Sequence, residues 1–138
     1  MKKDKQMDYK IWNGASAIII KDNKVLMVRG KDTNSWGVPS GGIEQGESAM
    51  QACIREIWEE TGYKVRIIQP LHIKKTIIEN YKVTTQYFLC AIIDGEIAYH
   101  DPDQTIVEIA WMDYDKIAQI QHDYNEDQKV IMQLLENG

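Results

Sequence analysis

Glu56, Glu59 and Glu60 are the residues of this chain whose type and spacing could do chemistry. They stand at i, i+3 and i+4, which on a helix makes them neighbours on one face, where like charges repel. A bound divalent cation reverses the sign of that problem, because hard cations prefer carboxylate oxygens. The competing reading is a solvated acidic face on which Arg55 and Glu59 form an i, i+4 ion pair. The acids close a stretch from Gly41 to Tyr63 that opens on the loop Gly41-Gly42-Ile43-Glu44-Gln45-Gly46.

The elements that must position this stretch can be read in order. Ile11 to Ile20 reads as a strand whose continuous run Ala17-Ile18-Ile19-Ile20 suits cover on both faces. Val25 to Arg29 returns as a second strand after a polar turn, and Trp36 to Ser40 is short and extended, since Pro39 keeps Val38 out of the helical region. The spacing predicts a helix over Glu47 to Glu60, with Ala49, Met50, Cys53, Ile54 and Ile57 as its packing stripe. Gly62 suits the left-handed cap that ends it. Val65 to Ile78 and Lys82 to Ile93 read as strands joined by a turn at Glu79-Asn80-Tyr81, with Pro70 marking a break or an edge. A loop over Asp94 to Gln104, a strand over Thr105 to Met112, a short helix over Asp115 to Gln119 and a terminal helix over Asp123 to Glu136 complete the chain. Strands on both sides of a central helix argue for an α/β sandwich with a mixed sheet.

The 138 residues fit a single domain, and 43% hydrophobic with 27% charged content is ordinary for a soluble globular protein. A net charge of -5 argues against a non-specific nucleic-acid binder but not against an anionic substrate if metal ions supply positive charge. Met1 to Gln6 lacks the apolar core of a signal peptide, and no apolar run approaches a membrane span. Cys53 and Cys90 have no metal spacing and read as buried free thiols, which suits a reducing cytoplasm.

At this point the sequence resembles the Nudix hydrolase family, MutT-like members included. That signature wants a glycine, a glutamate after five residues, and after seven more the run Arg-Glu-apolar-any-Glu-Glu-any-Gly-apolar. Gly41, Glu47, Arg55, Glu56, Ile57, Glu59, Glu60 and Gly62 meet it in register, while Tyr63 fills the last slot less typically. Pro39 and Trp111 add to the likeness. Relatives usually carry two glycines where Ser40 and Gly41 stand here, so Ser40 takes the place of the residue whose backbone carbonyl meets the metal.

The resemblance implies a Nudix-type α/β/α sandwich spanning residues 1–138. It also implies a pyrophosphohydrolase that cleaves a nucleoside diphosphate linked to another group, with Mg²⁺ or Mn²⁺ as cofactor. Glu59 and Glu60 are then expected as metal ligands, Glu56 as a ligand or general base, and Ser40 as the loop ligand. Arg55, paired with Glu47, would orient the carboxylates. Asp101, Asp103 and Glu108 compete for a further acid from outside the box. Arg29 and Lys31 could reach phosphates, and Trp36, Tyr81 or Tyr87 could stack on a base. Lys74-Lys75 reads as a solvated strand edge, and His72, His100 and His122 as bystanders. A nucleotide-type small molecule is the expected partner, with no nucleic acid and no membrane; a homodimer is common among such relatives. The alternatives are a nucleotide-binding or regulatory module without hydrolysis, a dinucleoside polyphosphate hydrolase, to which Tyr81 points, and an acidic partner-binding surface.

Overall fold

The structure, a computed structural model, describes residues 8–100 and 103–137. The expectations placed on Met1 to Gln6 and on Asp101 lie outside those residues. In chain order the elements are β1 (Lys10–Lys21), β2 (Lys24–Gly30), β3 (Trp36–Gly37), β4 (Ser40–Gly42), α1 (Ala49–Thr61), β5 (Tyr63–Ile78), β6 (Tyr81–Gly95), β7 (Ile106–Met112), α2 (Tyr114–Gln119) and α3 (Asn125–Asn137).

β1 is the axis of the sheet. It runs parallel to β6 from Lys10 to Ile19 and antiparallel to β4 and to the start of β2. The strand order is β3-β2-β1-β6-β5, with β4 added on β1 and β7 on β2. The result is the mixed sheet expected. Both faces of β1 and β2 are covered, which the unbroken apolar runs anticipated. Ala15, Ala17, Ile19, Leu26 and Val28 pack with α1 residues Ala52, Cys53 and Ile57. Ile18, Val25 and Met27 pack with Ile117 of α2 and with Ile131 and Leu135 of α3. Helices therefore sandwich the sheet. Among the described residues no helix is long and apolar enough to cross a membrane.

Two details of α1 differ from expectation. It starts at Ala49 behind a Ser48 cap, not at Glu47: Gln51 N–H donates to Ser48 Oγ at 3.1 Å, and Ser48 N–H donates to Gln51 Oε1 at 2.9 Å. This reciprocal box satisfies two otherwise orphaned donors and frees the Glu47 carboxylate for other partners. The buried stripe is also turned, with Ala52, Cys53 and Ile57 buried while Met50 and Ile54 are exposed. Small Ala52 and Cys53 let the helix lie closer to β1 than Met50 or Ile54 would permit. At the other end Gly62 takes φ 85, and its N–H closes onto Trp58 O at 2.9 Å. No side chain adopts that conformation cheaply.

β5 is the outer strand, and its pairing with β6 shifts register between Ile67 and Gln69 and between Pro70 and His72. Pro70 has no N–H to donate, so its place at a bulged edge follows directly. Cys53 and Cys90 are buried free thiols with their sulfurs 3.9 Å apart, as expected.

Candidate functional site

The loop before α1 is tied to β1 rather than left to float. Ser40, Gly41 and Gly42 pair with Ser16, Ala15 and Gly14, and Ala17 N–H donates to Pro39 O at 3.0 Å. α1 then packs its buried side on the same strand, so loop and helix share one rigid support. Gly41 is where the two meet. A Cβ built there would come within 2.6 Å of Glu56 Oε1 and closer still to Oε2 and Cδ, so the missing side chain is what gives the Glu56 carboxylate its place.

Arg55 is the centre of the acidic face. Its Nε and Nη2 grip Glu47 through both carboxylate oxygens, at 2.7 and 2.9 Å. Nη2 also donates to Gly42 O at 3.0 Å, and Nη1 lies 3.2 Å from both Glu56 Oε2 and Glu59 Oε1. Such a planar fork suits bidentate carboxylate binding in a way a lysine cannot match. Glu44, given no role from sequence, adds a looser contact to Nη1 at 3.7 Å and donates its N–H to Glu47 Oε1 at 3.0 Å. The Arg55 guanidinium and the Glu44 N–H hold the Glu47 carboxyl down at about 2. Arg55 is in turn pushed above its ordinary value, first by its bond to Glu47. Glu60 reaches the loop from the end of the helix, where its Oε1 accepts the Ser40 N–H at 3.2 Å.

Ser40, Glu47, Arg55, Glu56, Glu59 and Glu60 are thus joined across one loop and one helix face. The donor set is all oxygen, which fits Mg²⁺ or Mn²⁺ and not a soft metal. Among the described residues no three acidic, imidazole or thiol groups already converge closely enough to hold an ion. Arg55 stands between Glu56 and Glu59 and shares one nitrogen with both.

The outlying residues are placed differently. Arg29 and Glu108 face each other across β2 and β7 and form an ion pair at 2.8 Å, while Arg29 Nη1 donates to Thr33 O at 2.8 Å. Two of Arg29's donors are therefore engaged in holding strand and loop. Lys31 anchors its loop through its N–H to Thr105 O at 2.7 Å, with its side chain exposed, and Asp103 is also exposed. Trp36 is half-buried, and its backbone exchanges hydrogen bonds with Gln121 and Asp123 at 2.9 and 2.8 Å. His100 stacks on Trp58 with ring centroids 4.4 Å apart, and its N–H donates to Glu59 O at 3.1 Å.

A second polar cluster joins β5, β6 and α3. Lys74 is not a solvated edge residue: its side chain is 17% exposed, and Nζ lies 3.6 Å from Oδ1 of buried Asp127. Tyr87 OH donates to the same oxygen at 2.9 Å. Burial pushes the Asp127 carboxyl above its ordinary range, and burial with the neighbouring Asp127 charge pushes Tyr87 up. One local signal pointed here: Asp127, Ile131 and Leu135 sit at i, i+4 and i+8, so an acid occupies the buried stripe of α3.

Comparison with known proteins brings this geometry into a family. The model of the NUDIX domain matches residues 11–135. Nudix hydrolase 7 of Arabidopsis thaliana is 31% identical over 109 residues, 72% of this chain and 38% of that protein. The m7GpppN-mRNA hydrolase of Saccharomyces cerevisiae (strain ATCC 204508 / S288c) is 32% identical over 116 residues, 79% of this chain and 11% of the yeast protein. Among solved structures, a NUDIX hydrolase from Nitrosomonas europaea superposes with a TM-score of 0.73 at 27% identity, covering 93% of this chain and 88% of that one. The chain spans less than two fifths of the length of either curated relative.

Proposed function

The chain belongs to the NUDIX family, and on that premise we propose that it is a metal-dependent pyrophosphohydrolase of a nucleoside diphosphate linked to another moiety, such as a nucleoside triphosphate. The observation that carries this reading is the assembly of Glu47, Arg55, Glu56 and Glu59 on one helix face, with Glu60 tied to Ser40 of the loop. Glu56, Glu59, Glu60 and the Ser40 carbonyl would hold Mg²⁺ or Mn²⁺. When bound, such an ion supplies charge neutralisation at phosphate oxygens and acidifies water. The chain's own residues do the positioning. Arg55 keeps Glu56 and Glu59 oriented, Glu47 and the Gly42 carbonyl keep Arg55 in place, and Glu56 is a ligand or the base that accepts a proton from the attacking water.

The test is a hydrolysis panel with Mg²⁺ or Mn²⁺ over nucleoside triphosphates, ADP-ribose, nucleotide sugars, dinucleoside polyphosphates and capped RNA, reading both products. Capped RNA belongs in the panel because one relative is named for m7GpppN-mRNA. Glu60→Gln should lower turnover of the best substrate by about 100-fold or more, and chelation of the metal should abolish it. Full turnover by Glu60→Gln would place the site elsewhere. Saturable nucleotide binding without hydrolysis under any metal would replace the enzyme with a binding module. A cytoplasmic setting and a homodimer belong to the same proposal, read by cell fractionation and by sedimentation.

A further inference from the structure

A pocket adjoins the glycine loop at Ser40. Its narrow inner end, about 70 Å³, is lined by Ser16, Ser40, Lys74, Tyr87 and Tyr124, and it opens past Trp12. The wider outer space, about 310 Å³, lies between Trp12, Tyr81 and Tyr124 with Ile78 and Val83. Ser40 is common to this pocket and to the carboxylate face, because its N–H bonds Glu60. A molecule bound at the carboxylates therefore has this pocket within reach of its other end.

The walls and the floor differ in kind. The Trp12 ring packs against the glycines of β1 and β4: a Cβ on Gly14 would enter its ring, and one on Gly42 would sit 3.5 Å from its Nε1. Tyr124 stands among the lining residues with Lys74 Nζ 3.9 Å from its ring centroid. At the floor, Lys74 Nζ is buried and has no hydrogen-bond acceptor among the described residues. Its counter-charge, Asp127 at 3.6 Å, already accepts from Tyr87 OH. Burying an ammonium whose N–H groups lack acceptors is costly, and a ligand oxygen placed there removes that cost. Flat aromatic walls bind the face of any heterocycle, whereas a lone cationic donor distinguishes a carbonyl from an amino group.

We propose that this pocket is the base-recognition subsite and that Lys74 selects heterocycles bearing a ring carbonyl over their amino counterparts, with Trp12 stacking on the ring. Asp127 and Tyr87 act as positioning residues that keep Lys74 aimed into the pocket. The proposal rests on the phosphate end binding at the carboxylate face, as in the proposed function, but its test does not need turnover. Equilibrium binding of inosine and adenosine 5′-monophosphates, and of uridine and cytidine 5′-monophosphates, is measured by calorimetry on the whole chain. The members of each pair differ where the carbonyl is exchanged for an amino group. The oxo member of at least one pair should bind about tenfold tighter to the wild type, and Lys74→Met should bring the two affinities together. Lys74→Met/Asp127→Asn removes both buried charges and repeats the comparison if the single variant folds poorly. Equal affinities in the wild type, an amino preference, no binding at all, or a ratio unchanged by both variants would each overturn the assignment. A chain that hydrolyses nothing yet keeps the oxo preference would refute the proposed function and leave this subsite standing.

Discussion

Replacing Gly41 with alanine separates the site from the fold, because a single side chain receives the added methyl. The backbone of Gly41 is not in the left-handed region, so alanine meets no conformational strain there. The new Cβ would meet the Glu56 carboxylate, 2.6 Å from Oε1 and nearer to Oε2 and Cδ. An ordinary contact begins at 3.4 Å, so the carboxylate must withdraw by about 1 Å or more. Glu56 is the flexible end of a mostly buried side chain, 16% exposed, and its withdrawal weakens one 3.2 Å contact with Arg55 while Arg55 keeps Glu47. The stability cost should stay below about 1 kcal/mol, and the melting temperature within about 4 °C of wild type. Activity should fall much further, because a displacement of about 1 Å in a reacting group can cost about 100-fold. Thermal unfolding followed by circular dichroism and kcat/KM on the best substrate make the comparison. Wild-type kcat/KM in a folded Gly41→Ala protein would refute a catalytic place for Glu56. A drop in melting temperature well beyond 4 °C would show instead that the loop and helix cannot yield separately.

Two further outcomes follow from the Arg55 network. Arg55→Lys keeps one positive charge but cannot hold both Glu47 oxygens and Gly42 O together, so unfolding free energy should fall by about 2 kcal/mol and kcat should drop more than KM rises; denaturant melts and steady-state kinetics report both, and an unchanged kcat would remove Arg55 from the positioning role. The Glu47 carboxyl is lowered from an ordinary 4.5 to about 2, so its contribution to stability is present above pH 4.5 and is lost as pH falls through about 2. Urea midpoints between pH 5 and 2 should decline in the wild type and more shallowly in Glu47→Gln; parallel curves would refute the assignment. Asp127 works in the opposite sense, because its raised value favours the native state more as pH falls.

Corrections cluster where sequence distance is large or where two faces of a helix compete. On α1, Met50 and Ile54 are apolar enough to claim a buried face, yet small Ala52 and Cys53 fit the close approach to β1 and take it. α1 starts after Ser48 rather than at Glu47 because Ser48 and Gln51 satisfy its first orphaned donors reciprocally. Lys74 gives no local sign of burial because no acid stands within four residues of it, and Asp127 reaches it only after α3 packs on the sheet. The pairing of Arg29 with Glu108 was equally invisible, since the two are 79 residues apart and meet only through the β2–β7 register.

The sequence by itself determined the order of strands and helices, the glycine cap of α1, and the spacing that lines Glu56, Glu59 and Glu60 beside Arg55. These follow from local periodicity and backbone preference, which a few neighbouring residues suffice to encode. Only the tertiary structure decided that Gly41 makes room for Glu56, that Ser40 joins the loop to Glu60, and that Lys74 is buried against Asp127. Each of those depends on which strand lies beside which, and no local pattern carries that information.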